Sequence, residues 1–174
     1  MTQAILYIEH QEFGKEQFQI APDARYNIYN AVKEEEYEDE EDEDIPDIWE
    51  FVFYFRTEAV LLEGKGLEGH NARPNVEATI LLTAATNQLE VGQVLTQEEG
   101  YDYERKEHLS NVYYFNHSNL ENLQVEILEI TAEDILVRLQ GASCINGSNG
   151  SATDAILKAQ VRLRKDTVFE RTLS

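Results

Sequence analysis

The chain has 174 residues, one cysteine and a formal net charge of −20. A surface so poor in cations excludes nucleic-acid phosphates and anionic membranes as natural partners, leaving basic proteins or cations as the ones charge would select. The lone Cys144 excludes an internal disulfide and favours a reducing compartment.

At this length folding buries about two-thirds of the surface the unfolded chain exposes, so residues 1–174 are expected to form one domain around one core. The first residues, MTQAILYIEHQEF, carry no basic region and only a short apolar run from Ala4 to Ile8. Neither a signal peptide nor a membrane helix is expected there, and the cytoplasm is the predicted compartment. The Asn-X-Ser triplets at Asn116, Asn146 and Asn149 matter only on the secretory route and are read as chance.

From Ile5 the pattern is that of a strand, with Ile5, Tyr7 and His10 expected on one side. Gly14-Lys15 is the expected turn, and Phe18 and Ile20 belong to a second arm ending at Pro22-Asp23. Tyr26, Ile28 and Tyr29 fit either a third strand or the start of a helix. Glu34 to Asp44 then holds ten carboxylates in eleven positions, interrupted only by Tyr37. Mutual repulsion with nothing apolar to bury predicts a flexible, solvated acidic loop over 34–47, inserted between two strands of the same domain.

Ile48 to Arg56 is the most aromatic run and predicts a strand buried on both faces or placed at the centre of a sheet. Gly64, Gly66 and Gly69 mark a turn region reaching Pro74, and Val76, Ala78, Ile80 and Leu82 alternate as a strand. Leu89, Val91 and Val94 suggest a short return arm bent at Gly92. Gln97 to Leu109 is charged and sparse in apolar positions, so a short helix or a long loop is expected. Val112 to Phe115 is strand-like.

Leu120 to Gly141 is the clearest element. Leu123, Val125 and Ile127 alternate with polar residues in one arm, and Ile135, Val137 and Leu139 form the apolar set of the other. Thr131-Ala-Glu-Asp134 between them favours a short turn, predicting a hairpin. The alternation slips at Leu128 to Ile130, where a β-bulge or twist is expected. After the flexible turn Asn146 to Ser151, a last strand over Ile156 to Val168 sets Leu157, Ala159, Val161 and Leu163 against Lys158, Gln160, Arg162 and Arg164. Its basic face is expected to pair with carboxylates of its own domain rather than to bind an anion. Eight or more short strands separated by turns predict an antiparallel β-sandwich or barrel with at most one or two short helices.

Few constellations carry chemistry. The acidic run lacks the glycine and alternate spacing of an EF-hand loop, and His10, His70, His108 and His117 are too scattered for a zinc motif, so no metal and no cofactor is expected. No Gly-x-Ser-x-Gly elbow is present, and Gly64 to Gly69 matches neither a Walker loop nor a dinucleotide fingerprint. Cys144 reads as a small half-buried thiol. With 34 carboxylates a glycosidase pair is not excluded, but nothing singles one out.

Three readings follow. The first is a non-catalytic acidic binding protein that engages a basic protein, in the manner of an antidote or immunity protein or a mimic of nucleic-acid charge. Glu38, Asp39, Glu40, Glu41, Asp42, Glu43 and Asp44 would be its recognition element. The second is a small-ligand or carbohydrate-binding β-sandwich, with or without catalysis, using Trp49, Tyr113 and Tyr114 near the Tyr101/Tyr103 cluster. The third is a homo-oligomer paired through a sheet edge.

Overall fold

The computed structural model describes residues 4–12, 14–30, 48–61, 71–82, 88–104, 106–114, 116–145 and 151–166. Among these there are strands and turns but no helix. The strands are β1 (Ile5–His10), β2 (Gly14–Gln19), β3 (Arg25–Asn30), β4 (Trp49–Arg56), β5 (Val60–Leu61), β6 (Asn71–Ala72), β7 (Asn75–Leu82), β8 (Val94–Gln97), β9 (Tyr101–Asp102), β10 (Glu107–His108), β11 (Ser110–Tyr113), β12 (His117–Ile130), β13 (Asp134–Ser143) and β14 (Ala155–Lys165).

The predicted hairpin is β12–β13, and its turn closes as the side chains dictate. The Thr131 amide donates to the Asp134 carbonyl (2.8 Å), while Thr131 Oγ1 accepts the amides of Asp134 (3.0 Å) and Glu133 (3.3 Å). The pairing register shifts between Ile127 and Glu129, the place where the alternation slips. A second shift lies between Glu121 and Gln124, where Asn122 takes a positive φ of 51°. This bulge divides one edge of β12 between two partners: β11 along Ser118 and its neighbours, β8 along Leu123–Glu126.

β14 is shared in the same way. One edge pairs with β13 from Asp134↔Arg164 to Ser143↔Ala155; the other takes β1 along 155–160 and β3 along 164–165. The ladder β13-β12-β11-β7-β4-β3-β14 therefore returns to β13 and closes a seven-stranded barrel, to which β1, β2 and β8 are added. All the ladders are antiparallel except β14–β3, which makes the barrel mixed. Closure removes the free edges of the ring strands. Two ribbons, β5–β6 and β9–β10, stand apart from the main sheet.

The interior is built from inward-facing alternate residues. Leu123, Val125 and Ile127 of β12, Val137 and Leu139 of β13, and Leu157, Val161 and Leu163 of β14 are fully buried, with Phe51, Phe53 and Phe55 of β4 opposite them. β4 is buried on both faces over Glu50–Phe53, while Tyr54 and Arg56 further along the second face are only partly covered. Tyr26 stands 5.9 Å from the Phe51 ring, and Phe51 stands 5.5 Å from Phe53.

Three local expectations are corrected. In β1 the buried set is Leu6, Ile8 and His10. Ile5 and Tyr7 have the opposite parity to His10, so an unbroken strand cannot put all three on one face. The first turn falls at Gln11 and Glu12, and Gly14, with φ 77°, already opens β2 opposite His10. Over Gln97–Leu109 the expected helix or loop is instead the end of β8 followed by the ribbon β9–β10, where His108 pairs with Tyr101. The glycine-rich stretch from Gly64 to Gly69, the turn over Asn146 to Gly150, and residues 167–174 lie outside the described residues.

Candidate functional site

Glu38, Asp39, Glu40, Glu41, Asp42, Glu43 and Asp44 also lie outside the described residues. Their attachment is defined: the segment leaves β3 at Asn30 and re-enters β4 near Trp49, and these two residues face each other across the β3–β4 ladder. It is thus an insertion between adjacent antiparallel strands.

Six of the described cations form ion pairs within the chain. On the outer face of β12–β13–β14, Arg162 binds both Glu129 and Asp134 (2.6 Å to Asp134 Oδ1), and Arg138 binds Glu126 at 2.8 Å. Lys15 and Lys158 both approach Glu9, at 3.2 and 3.9 Å. Arg56 meets Asp23 at 2.7 Å and Arg25 meets Asp166 at 3.8 Å. Of the basic row on β14, Lys158 and Arg162 thus pair within the domain. Exposed pairs of this kind add about 0–1 kcal/mol each to stability. Their larger consequence is electrostatic, since they neutralise cations locally and leave the excess carboxylates to set the external field.

Trp49, Tyr113 and Tyr114 have different surroundings. Trp49 packs against the core beside the Leu82 end of β7, and Tyr113 faces Asn75 at the opposite end. Those ends are about 23 Å apart at the rise of an extended strand. Tyr113 points outward with its ring 4.9 Å from His117, whereas Tyr114 points inward, edge-on to Phe18 at 5.7 Å.

The Tyr114 hydroxyl donates to Glu16 Oε2 at 2.5 Å. Burial first, then this hydrogen bond and the negative charge of Glu16, raise the phenol pKa well above its usual value. An acid with a raised folded-state pKa keeps its proton where the unfolded chain has lost it. Its contribution to stability is therefore present below about pH 10 and declines above it. Urea unfolding across that range should show stability falling with pH, with a shallower fall in Tyr114→Phe; identical slopes would contradict this assignment. Tyr26, raised by burial and by Asp134, contributes in the same direction and remains in the variant.

A surface cleft of about 510 Å³ lies at the far end of β1, lined in part by Glu9, His10, Lys15, Thr153 and Asp154. His10 is buried; its Nδ1 accepts the Glu12 amide at 3.0 Å and its Nε2 faces Asp154 Oδ2 at 3.3 Å. Asp154 Oδ1 accepts the Ile145 amide at 2.7 Å. His10 thus links the end of β1 to Asp154, which in turn holds the Ile145 amide at the approach to β14. Nothing in the sequence links two residues so far apart.

Gly100 is a second feature that sequence reading missed. Its carbonyl accepts the amides of Leu109 (2.9 Å) and Ser110 (3.0 Å), and its amide donates to Glu121 Oε2 at 3.0 Å. A Cβ there would stand 2.7 Å from the Ser110 carbonyl oxygen and 2.8 Å from the Leu120 nitrogen. Only glycine fits this close backbone approach. Gly100 thus pins the ribbon β9–β10 against β11 and β12, and His108 Nδ1 lies 3.1 Å from Asn119 Oδ1 beside it. On the ribbon, Tyr101 contacts Tyr103 (5.1 Å between centroids, 72° between planes) and His108 (5.0 Å, 73°).

Among the described residues, no group of three or more His, Cys, Asp or Glu side chains could hold a metal ion. Cys144 is buried. No protein-family model, curated protein or solved structure matches the chain.

Proposed function

We propose that this protein is a non-catalytic acidic binding protein whose negative surface captures a basic protein, as an antidote, an immunity factor or a nucleic-acid charge mimic would. The observation that carries this reading is the internal pairing of Lys15, Arg25, Arg56, Arg138, Lys158 and Arg162 in a chain of net charge −20. Cations held against their own carboxylates do little to screen the remaining anionic groups. Long-range attraction would then guide a basic partner to the surface. Glu38 to Asp44, set between β3 and β4, supplies the densest charge and is the recognition element in this proposal.

The experiment is affinity capture with the whole chain, identification of the captured protein, and measurement with the purified pair. The partner should be basic, and replacing Glu38 to Asp44 by the corresponding amides should weaken its binding at least tenfold, about 1.4 kcal/mol. Failure to capture a basic protein, or equal binding by the amide variant, would contradict the proposal.

A further inference from the structure

We propose that the ribbon β9–β10 is a cation-receiving corner, taking an arginine or lysine side chain of a basic protein between Tyr101, Tyr103 and His108. This rests on the reading that the partner is basic, and it adds a site separate from the acidic segment between β3 and β4. Three observations converge on it.

The first is ring geometry. Tyr101 makes steep contacts with both neighbours, at 72° to Tyr103 and 73° to His108, with centroids 5.0–5.1 Å apart. Rings set in this way form a corner, whereas a coplanar platform would suit the flat face of a sugar. Electron-rich ring faces set at an angle can approach a guanidinium or ammonium from more than one side. Tyrosine faces already receive cations within this fold: Lys15 Nζ lies 4.6 Å above the Tyr7 ring, and the Arg25 guanidinium 5.5 Å from the Tyr54 centroid.

The second is charge. Asp102, Glu104 and Glu107 accompany the rings, against Arg105 and Lys106 in the same stretch of sequence, an excess of one carboxylate. Asp102 Oδ1 accepts the Glu104 amide at 2.8 Å, which holds a carboxylate at the start of the ribbon turn. Aromatic faces beside an excess of carboxylates complement a cationic side chain.

The third is presentation. Tyr103 is 73% exposed, the most exposed large hydrophobic side chain among the described residues. Two strands this short would fray alone, yet their base is fixed by the hydrogen bonds at Gly100 and by the packing that excludes a Cβ there. An exposed aromatic on an anchored loop is ready to bind, because little ordering remains to be done when a partner arrives.

The test is a nuclear magnetic resonance titration of the full chain with an acetylated arginine- and lysine-containing octapeptide, alongside a neutral hexasaccharide. The peptide should shift resonances of Tyr101, Tyr103 and His108 and should do so also in the chain whose Glu38 to Asp44 are amides. Tyr103→Ala, at a position too exposed to threaten folding, should weaken this binding about two- to fivefold, and Tyr103→Phe should restore it. Peptide shifts confined to other surfaces, unchanged affinity in Tyr103→Ala, or preference for the hexasaccharide would overturn the inference. The two proposals separate cleanly. A silent ribbon with intact partner capture removes this site alone, while a responsive ribbon without capture of a basic protein leaves the site standing and removes the proposed function.

Discussion

Replacing Phe53 with alanine should lower the free energy of unfolding by about 3–5 kcal/mol, the range for removing a large aromatic from a closed core. Phe53 is fully buried on β4, between the Phe51 ring at 5.5 Å and the Phe55 ring at 6.5 Å. Its neighbour across β7 is Ala78, a small residue that makes room for the ring and has no side chain long enough to fill the space if the ring is removed. Across β3 it faces Tyr26, which is held by its own burial. The cavity therefore stays open. Urea titration should show a lower midpoint with an unchanged slope. A loss below about 1 kcal/mol would mean that the barrel interior relaxes far more than close packing permits.

Gly100→Ala should cost about 1–3 kcal/mol, because overpacking here has no cheap escape. The added methyl would press on the carbonyl oxygen of Ser110 and the amide nitrogen of Leu120, backbone atoms of two paired strands. Gly141 offers the contrast. A Cβ there meets Leu120 Cδ1 at 2.7 Å and Cγ at 3.0 Å, side-chain rather than backbone atoms, so Gly141→Ala should be the milder change. In Gly100→Ala the ribbon resonances should broaden or move before the barrel is lost, and peptide binding at Tyr103 should weaken with them. Wild-type stability and an unmoved ribbon would show that Gly100 does not anchor β9–β10.

The parts of the fold that could be read in advance are those in which a period of two runs long enough to count. β12, β13 and β14 each hold several turns of alternation, and the hairpin, its threonine turn and the bulge after Ile127 follow from residues close in sequence. The central place of β4 was legible from its aromatic run, whereas the cover over Glu50 and Val52 on its more polar face depends on distant chain. Where a strand has only two residues, as in β9 and β10, no period exists to be seen, and the charged composition of Gln97 to Leu109 suggested a helix or loop. What defines that region is contact with distant chain: Gly100 against Ser110, Leu120 and Glu121. The parallel β14–β3 ladder and the return of β14 to β13 are likewise settled by long-range pairing. Adjacent aromatics posed a different problem. Tyr113 and Tyr114 read as one cluster, but Tyr113 ends β11 on its outer face while Tyr114, just past the strand, turns into the core.

Under the proposed function the surface, with its six ion-paired cations and excess carboxylates, would be the working part of the molecule and the interior its support. The association rate constant with the captured basic protein, followed by stopped flow as salt rises from about 20 mM to about 500 mM, tests that most directly. Electrostatic steering predicts a rate above about 10⁷ M⁻¹s⁻¹ at the low end that falls at least tenfold across the series, with a smaller fall when Glu38 to Asp44 are amides. A slow rate indifferent to salt, the same for both chains, would contradict it.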